Sequence, residues 1–385
     1  MSGYVFLSNS TKPSNEEQNS RENVQLTNVS RPCLQAALDM GFEVFLGINR
    51  ANPEELTCEL PVKLYDSHTY RSITAIKDNI IAYINLAKIV KNNNIEVIHC
   101  NSPVGGMIGR LVGRKYHVKK IIYTAHGFHF YKGAPMVNRT LYKWAEQIMA
   151  HWTDVIITMN EEDYESSMKL HLKKGGKRYK VHGVGISLSD YEDIVVNRNK
   201  KRMELGLSSK DIVCIAAGDL VERKNYKIAI EAIAATGQKK LKYLICGKGP
   251  QLGYLMELAK KLRVDTQVLF LGFRRDIVEL FKSSDIFLFS SLQEGLPRSL
   301  MEAMACGLPC VVSKIRGNVD LIVNGQGGLL CNPTNIEEYV YALNQLSEST
   351  ELRNQMGEHN IEEIKKYDIS VVEKEIKKIY RGVLT

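Results

Sequence analysis

Two carboxylates, Glu294 and Glu302, stand with seven residues between them in the run SSLQEGLPRSLMEAMACGLPCVVS. Before them, DIFLFS at 285–290 is apolar and aromatic-rich, the pattern of a buried strand. After Glu294, Pro297 suits a first helical position, Gly307 a helix C-terminal cap and Pro309 a stop. The spacing predicts Glu294 in a loop at the carboxyl end of a strand and Glu302 inside the following helix. Backbone N–H groups near Gly295 and Leu296 would face an anion held at that helix start. Apolar Leu300, Met301, Ala303, Met304 and Ala305 surround Glu302, which separates it from an ordinary solvated glutamate.

Cations in other strand-end loops could meet the same anion. GDLVERKN, 218–225, follows an apolar run and sets Arg223 and Lys224 behind Gly218. A diphosphate suits such a cluster, because Arg grips it with a planar fork and Lys supplies a point charge. Cations at a helix start also oppose its dipole, a mild cost that favours a functional role over a solvated one. In CGKGP, 246–250, Gly247 and Gly249 permit close backbone approach to a ligand. LGFRRD, 271–276, and IRGNVDLI, 315–322, are further strand-end loops. YTAHGFHFYKGAP, 123–135, places His126 at a strand end with His129 close behind. HCNSPVGGMIGR, 99–110, adds a glycine-bearing turn suited to an acceptor. His99, His126 and His129 lack a clear carboxylate or Cys partner for zinc, so no metal site is expected.

Positioning these loops requires parallel α/β layers, and strand-like and helix-like segments do alternate. Strands are expected at 4–8, 43–48, 96–100, 120–124 and 155–159, with helices at 32–40, 80–91 and 137–151 between them. The pattern restarts with strands at 211–217, 242–246, 268–271, 285–290, 310–313 and 328–330. A chain of 385 residues exceeds one core, and the polar stretch near 185–200 reads as the join. The expected fold is α/β, two doubly wound Rossmann-like domains facing a cleft, with ligands at the carboxyl ends of the strands. The polar run between the first strand and its helix is long for such a loop and reads as mobile or functional. Residues 370–384 are helical in pattern.

Composition is that of a globular protein, 44% hydrophobic and 24% charged. Eight scattered cysteines form no C-x2-C pair and read as reduced thiols of a cytosolic protein. No apolar run reaches transmembrane length, and the first residues lack a signal-peptide layout. The net charge of +8 is uneven. Eight Lys or Arg and no acid fall between Val97 and Ala145, and KKGGKRYK follows at 173–180. Such clusters suit an anionic membrane surface or a pyrophosphate-bearing acceptor, and equally a solvated basic face. No nucleic-acid motif is present.

The E-x7-E run, with GDLVERKN and the His126 strand end, resembles the retaining glycosyltransferases of family 4, which have the GT-B fold. The matches extend from about residue 4 to 375, and bacterial enzymes of capsule, exopolysaccharide and O-antigen synthesis look most similar. The resemblance implies a nucleotide-diphosphate sugar as donor and a saccharide acceptor, lipid-pyrophosphate-linked, with no cofactor and no metal. It implies Glu294 on the donor sugar, Glu302 on the ribose, and Lys224 with Arg223 on the diphosphate. His126 would hydrogen-bond the sugar, while Gly218, Gly247, Gly295 and Leu296 line the donor and Phe273 and Arg274 lie beside the base. Many members carry Arg directly after the glycine, where this chain has Asp219. The implied domains are an acceptor-side 1–190, a donor-side 191–369 and a helix, 370–385, crossing back to the first domain. The expected location is cytoplasmic, at the inner face of the membrane. A sugar-nucleotide epimerase of the same fold and a non-catalytic nucleotide-sugar-binding subunit are the rival readings.

Overall fold

A computed structural model describes residues 1–20 and 22–384. The chain divides into two compact units, residues 1–185 with 369–385, and residues 186–368. In the first unit β1 (Gly3–Leu7), β2 (Glu43–Ile48), β3 (Lys63–Asp66), β4 (Ile95–Asn101), β5 (Lys120–Ala125), β6 (Val155–Thr158) and β7 (Lys177–Lys180) form one sheet. Its order is β3-β2-β1-β4-β5-β6-β7, parallel throughout. The second unit pairs β8 (Ile212–Ala217), β9 (Leu241–Cys246), β10 (Val268–Gly272), β11 (Ile286–Phe289), β12 (Cys310–Ser313) and β13 (Gly328–Cys331). Their order is β10-β9-β8-β11-β12-β13, again parallel.

Parallel strands flanked by helices are covered on both faces, so central strands read as continuous apolar runs. β1 is GYVFL and β11 is IFLF, buried at every position. Two edge strands escaped the sequence reading for the converse reason. β3 is KLYD and β7 is KRYK, where lysines blunt an exposed edge. Residues 177–180 are therefore a sheet edge as well as a basic cluster. Lys180 pairs with Glu161, and the Lys177 ammonium donates to the Gly382 carbonyl at 2.9 Å.

The helix Val104–Lys115 lies tight against β4 and β5 because glycines face the sheet. A Cβ on Gly109 would stand 2.5 Å from the Cys100 side chain, and one on Gly106 2.5 Å from the Tyr123 ring. This closeness buries Arg110 completely. Its guanidinium stacks 3.8 Å from the Tyr123 ring centroid and forks onto Glu146 at 2.7 and 3.0 Å. Arg110 thus leaves the basic cluster counted along 97–145, and its partner lies one residue beyond that stretch. The helix Ile369–Leu384 packs on Arg31–Asp39 within the first unit. Its Tyr380 hydroxyl sits 2.6 Å from Nδ1 of the buried His99, and Thr124 Oγ1 lies 2.7 Å from the other ring nitrogen.

Breaking the Arg110–Glu146 pair from one side should cost about 3–5 kcal/mol, because a carboxylate would remain mostly buried and unpaired. Arg110→Met is expected to lower the urea midpoint accordingly, and adding Glu146→Leu should restore most of it. An unchanged midpoint in the single variant would refute this account.

Candidate active site

In the second unit the strand order reverses between β8 and β11, and loops leaving two such strands diverge to form a crevice. The loop after β8 carries Gly218 and a short 3-10 turn, Glu222–Lys224. The loop after β11 carries Glu294 and enters the helix Arg298–Ala305. Pro297 stands just before that helix rather than inside it, and Gly307 follows it with φ +72°. The two loops are tied together. The Leu292 N–H donates to the Arg223 carbonyl at 2.8 Å, and the Ser290 hydroxyl donates to the Asn225 carbonyl at 2.8 Å.

This junction brings Lys224 Nζ to 2.8 Å from Glu294 Oε1, with both side chains about nine-tenths buried. Arg223 stands 3.6 Å from the same oxygen and is half exposed. The Lys224 ammonium also lies 4.6 Å from the centroid of the Phe289 ring, at the end of β11. Buried Arg316, in the loop after β12, donates from Nε to the Glu294 carbonyl at 3.0 Å. Sequence reasoning quoted the Arg316 loop without singling out the residue; an Arg directly before a glycine at a strand end was the available signal.

The glycines here serve loop packing. A Cβ on Gly247 would stand 1.9 Å from the Gly218 carbonyl oxygen, and one on Gly317 2.4 Å from that of Gly295. Gly247 N–H donates to Gly272, and Gly218 N–H to Cys246. The close approach at Gly247 is therefore to neighbouring backbone. Tyr226 adds a hydroxyl donor to the Gly218 carbonyl at 3.1 Å.

Glu302 lies on its helix as the spacing predicts. Arg298, one turn earlier, donates from Nε to its Oε1 at 2.8 Å. Burial and the Glu302 carboxylate both push the neighbouring Tyr191 hydroxyl upward in pKa. Phe273 is 67% exposed, and Arg274 forks onto Asp276 at 2.8 and 2.6 Å. That fork, and Lys201 at 3.0 Å, hold the Asp276 carboxyl well below the usual range. The structure thus gathers Lys224 and Arg223 around the Glu294 carboxylate, whereas Glu302 and Arg274 each keep a partner of their own.

In the first unit the order reverses between β1 and β4. Asn9, after β1, donates to the Asn101 and Ser102 carbonyls at 3.0 and 2.7 Å. Asn101 donates through Nδ2 to Leu7 at 3.1 Å, which turns its Oδ1 toward His126. The His126 Nε2–H donates to that oxygen at 2.8 Å, leaving Nδ1 as the ring's acceptor. Burial, then the nearby Arg71, pulls the His126 pKa down to about 4. The ring borders a cavity of about 20 Å³, room for about one water. His129 stacks on Tyr142 with centroids 5.2 Å apart. Among the described residues, no three His, Cys, Asp or Glu side chains converge as metal ligands.

Residues 197–363 match the model of glycosyl transferases group 1, and residues 24–160 match glycosyl transferase 4-like. EpsD of Bacillus subtilis is 34% identical over 285 residues, 73% of this chain and 74% of that protein. The UDP-Gal:alpha-D-GlcNAc-diphosphoundecaprenol alpha-1,3-galactosyltransferase of Escherichia coli is 31% identical over 71% of each chain. Anabaena HepE, solved with UDP and glucose, superposes with a TM-score of 0.75 at 18% identity, covering 99% of both chains. Two Rossmann-like domains of parallel sheet, alike in fold to HepE, define the GT-B class. The chain belongs to the group 1 glycosyltransferases, a family of sugar-transferring enzymes.

An unfolded histidine titrates near pH 6.5. Since His126 titrates lower in the fold, the unfolded chain takes up that proton first as pH falls. The stability it contributes is complete above about pH 6.5 and is lost as pH falls toward about 4. Urea unfolding across that window should show the loss, and His126→Gln should show less of it. Ring ¹⁵N shifts of His126 should report the neutral Nε2–H form at pH 6; an imidazolium at that pH would refute the assignment.

Proposed function

We propose that the enzyme moves a sugar from a nucleotide-diphosphate sugar to a lipid-pyrophosphate-linked saccharide. It retains anomeric configuration and uses no metal, at the inner face of the cytoplasmic membrane, in surface polysaccharide synthesis. The observation that carries this reading is the meeting of Lys224, Arg223 and Glu294 at the β8/β11 reversal. The E. coli relative's name specifies UDP-Gal and a diphosphoundecaprenol acceptor, which supports both substrate classes.

On this reading Lys224 and Arg223 take the diphosphate, with the Gly218, Gly247, Gly295 and Leu296 backbone beside it. The ammonium exchanges Glu294 for phosphate oxygens and releases that carboxylate to the sugar hydroxyls. Glu302 serves the ribose, and Phe273 with Arg274 flank the base. His126, in the first unit, offers Nδ1 as a neutral acceptor suited to a sugar hydroxyl. As the bond from the anomeric carbon to the diphosphate breaks, negative charge grows on the leaving group, and fixed cations there lower the barrier without reorganising. This is the part a metal plays in other transferases. An open depression of about 990 Å³ suits the acceptor's saccharide. Hydroxyls and amides of Ser8, Asn9, Ser10, Asn23, Gln25 and Asn49 line it. The long polar loop after β1 supplies most of that lining.

Incubation with UDP-, GDP- and ADP-sugars in chelator should release nucleotide diphosphate slowly from one donor. Lys224→Ala and Glu294→Ala should each lower that rate about a hundredfold or more, with folded circular-dichroism spectra. Near-normal turnover in both variants would sink the assignment of these residues. Activity lost to chelator and restored by a divalent cation would replace the metal-free reading.

A further inference from the structure

Three helices of the first unit pack side by side: Ile76–Asn92, Val104–Lys115 and Lys143–Ala150. Their outward faces carry large apolar side chains among cations. On Ile76–Asn92, Ile76, Ile80 and Ile84 recur every fourth residue on the exposed side, Ile76 at 69% and Ile80 at 54% exposed. Leu111 continues the row on the middle helix. The third helix is entered through a π-turn, Asn138–Tyr142, and Met136 and Val137 before the turn, Leu141 within it and Trp144 after it are all exposed. Met136 is 80% and Trp144 64% exposed. One exposed Ile or Leu needs no explanation, but rows on neighbouring helices mark an interaction surface.

Charge selects the partner. Lys77, Lys88, Arg114, Lys115, Arg139 and Lys143 are exposed on the same elements. The three helices hold only two acids, and each is spoken for. Asp78 is bonded to His68 at 3.0 Å and Lys12 at 3.2 Å, and Glu146 to buried Arg110. An apolar face fringed by unopposed cations, with a Trp among its apolar residues, is the build of a surface that lies in the headgroup layer of an anionic bilayer. A second copy of this chain would set cation against cation.

We propose that this three-helix face seats the enzyme on an anionic lipid surface, with Met136, Leu141 and Trp144 entering the headgroup boundary and Arg139 and Lys143 meeting lipid phosphates. The proposal gives the lipid-linked acceptor reading a physical location, yet it can be tested apart from it. None of these residues belongs to the donor site.

Purified enzyme is sedimented with phosphatidylcholine vesicles, with and without phosphatidylglycerol, over a salt series. Binding is expected only with the anionic lipid and should weaken as salt rises. Arg139→Gln with Lys143→Gln should weaken it about thirtyfold, at about fivefold per cation. Met136→Ser with Leu141→Ser should weaken it too, with unchanged circular dichroism. Trp144 emission should shift to the blue on binding, and Trp144→Phe should abolish the shift. No binding to anionic vesicles, or binding that both double variants retain, would overturn the proposal. So would concentration-dependent self-association that Ile80→Glu abolishes, since the face would then belong to a second copy. Vesicle binding without donor turnover leaves this surface standing and removes the transferase chemistry; turnover without vesicle binding does the reverse.

Discussion

Parallel pairing forces every strand of a sheet to finish at the same edge, and the rest of this architecture follows from that constraint. Loops leaving neighbouring strands are normally drawn to the same side by their crossovers. Where the strand order reverses they part, and a crevice opens between them. Lys224 follows β8 and Glu294 follows β11, the pair that flanks the reversal in the second unit. Asn9, just after β1, and Asn101, the last residue of β4, occupy the matching places, and His126 is braced from there.

The two crevices are electrically unlike. In the second, Lys224 is packed on Phe289 and clipped to Glu294, so its charge is held in a poorly hydrated place before any ligand arrives. Such a pair contributes little net stability once its desolvation is counted. Its value lies in orientation, because cations already fixed need not rearrange as charge develops. In the first, burial keeps His126 neutral and its tautomer is set by Asn101, which suits recognition of hydroxyl groups over anions.

Much of the scaffold was legible along the chain. Strands such as VFL in β1 and IFLF in β11 announce themselves because both faces are covered and no polar alternation survives. β3 and β7 were not legible, since KLYD and KRYK have the composition of a surface loop and become strands only by pairing with a neighbour. The basic stretch at 97–145 was legible as charge but not as place. Arg110 belongs to the core because glycines on its own helix bring it against Tyr123. The exposed isoleucines of Ile76–Asn92 resemble core residues in the sequence, and only their surroundings show that nothing in the unit covers them.

The sequence by itself determined the alternation of strands and helices and the placing of Glu294, Glu302, Lys224, Arg223 and His126 at strand ends or on the helix beyond. These are local matters of apolar period and of Pro and Gly punctuation. Tertiary structure decided which of them meet. Lys224 and Glu294 are separated by 70 positions, and no local rule links them. The same holds for Arg316 under Glu294 and for Asn101 behind His126, whereas Arg298 meets Glu302 by the local i,i+4 spacing of their shared helix. Contacts of this kind depend on strand order and on the closeness of packing, and both are properties of the folded chain as a whole.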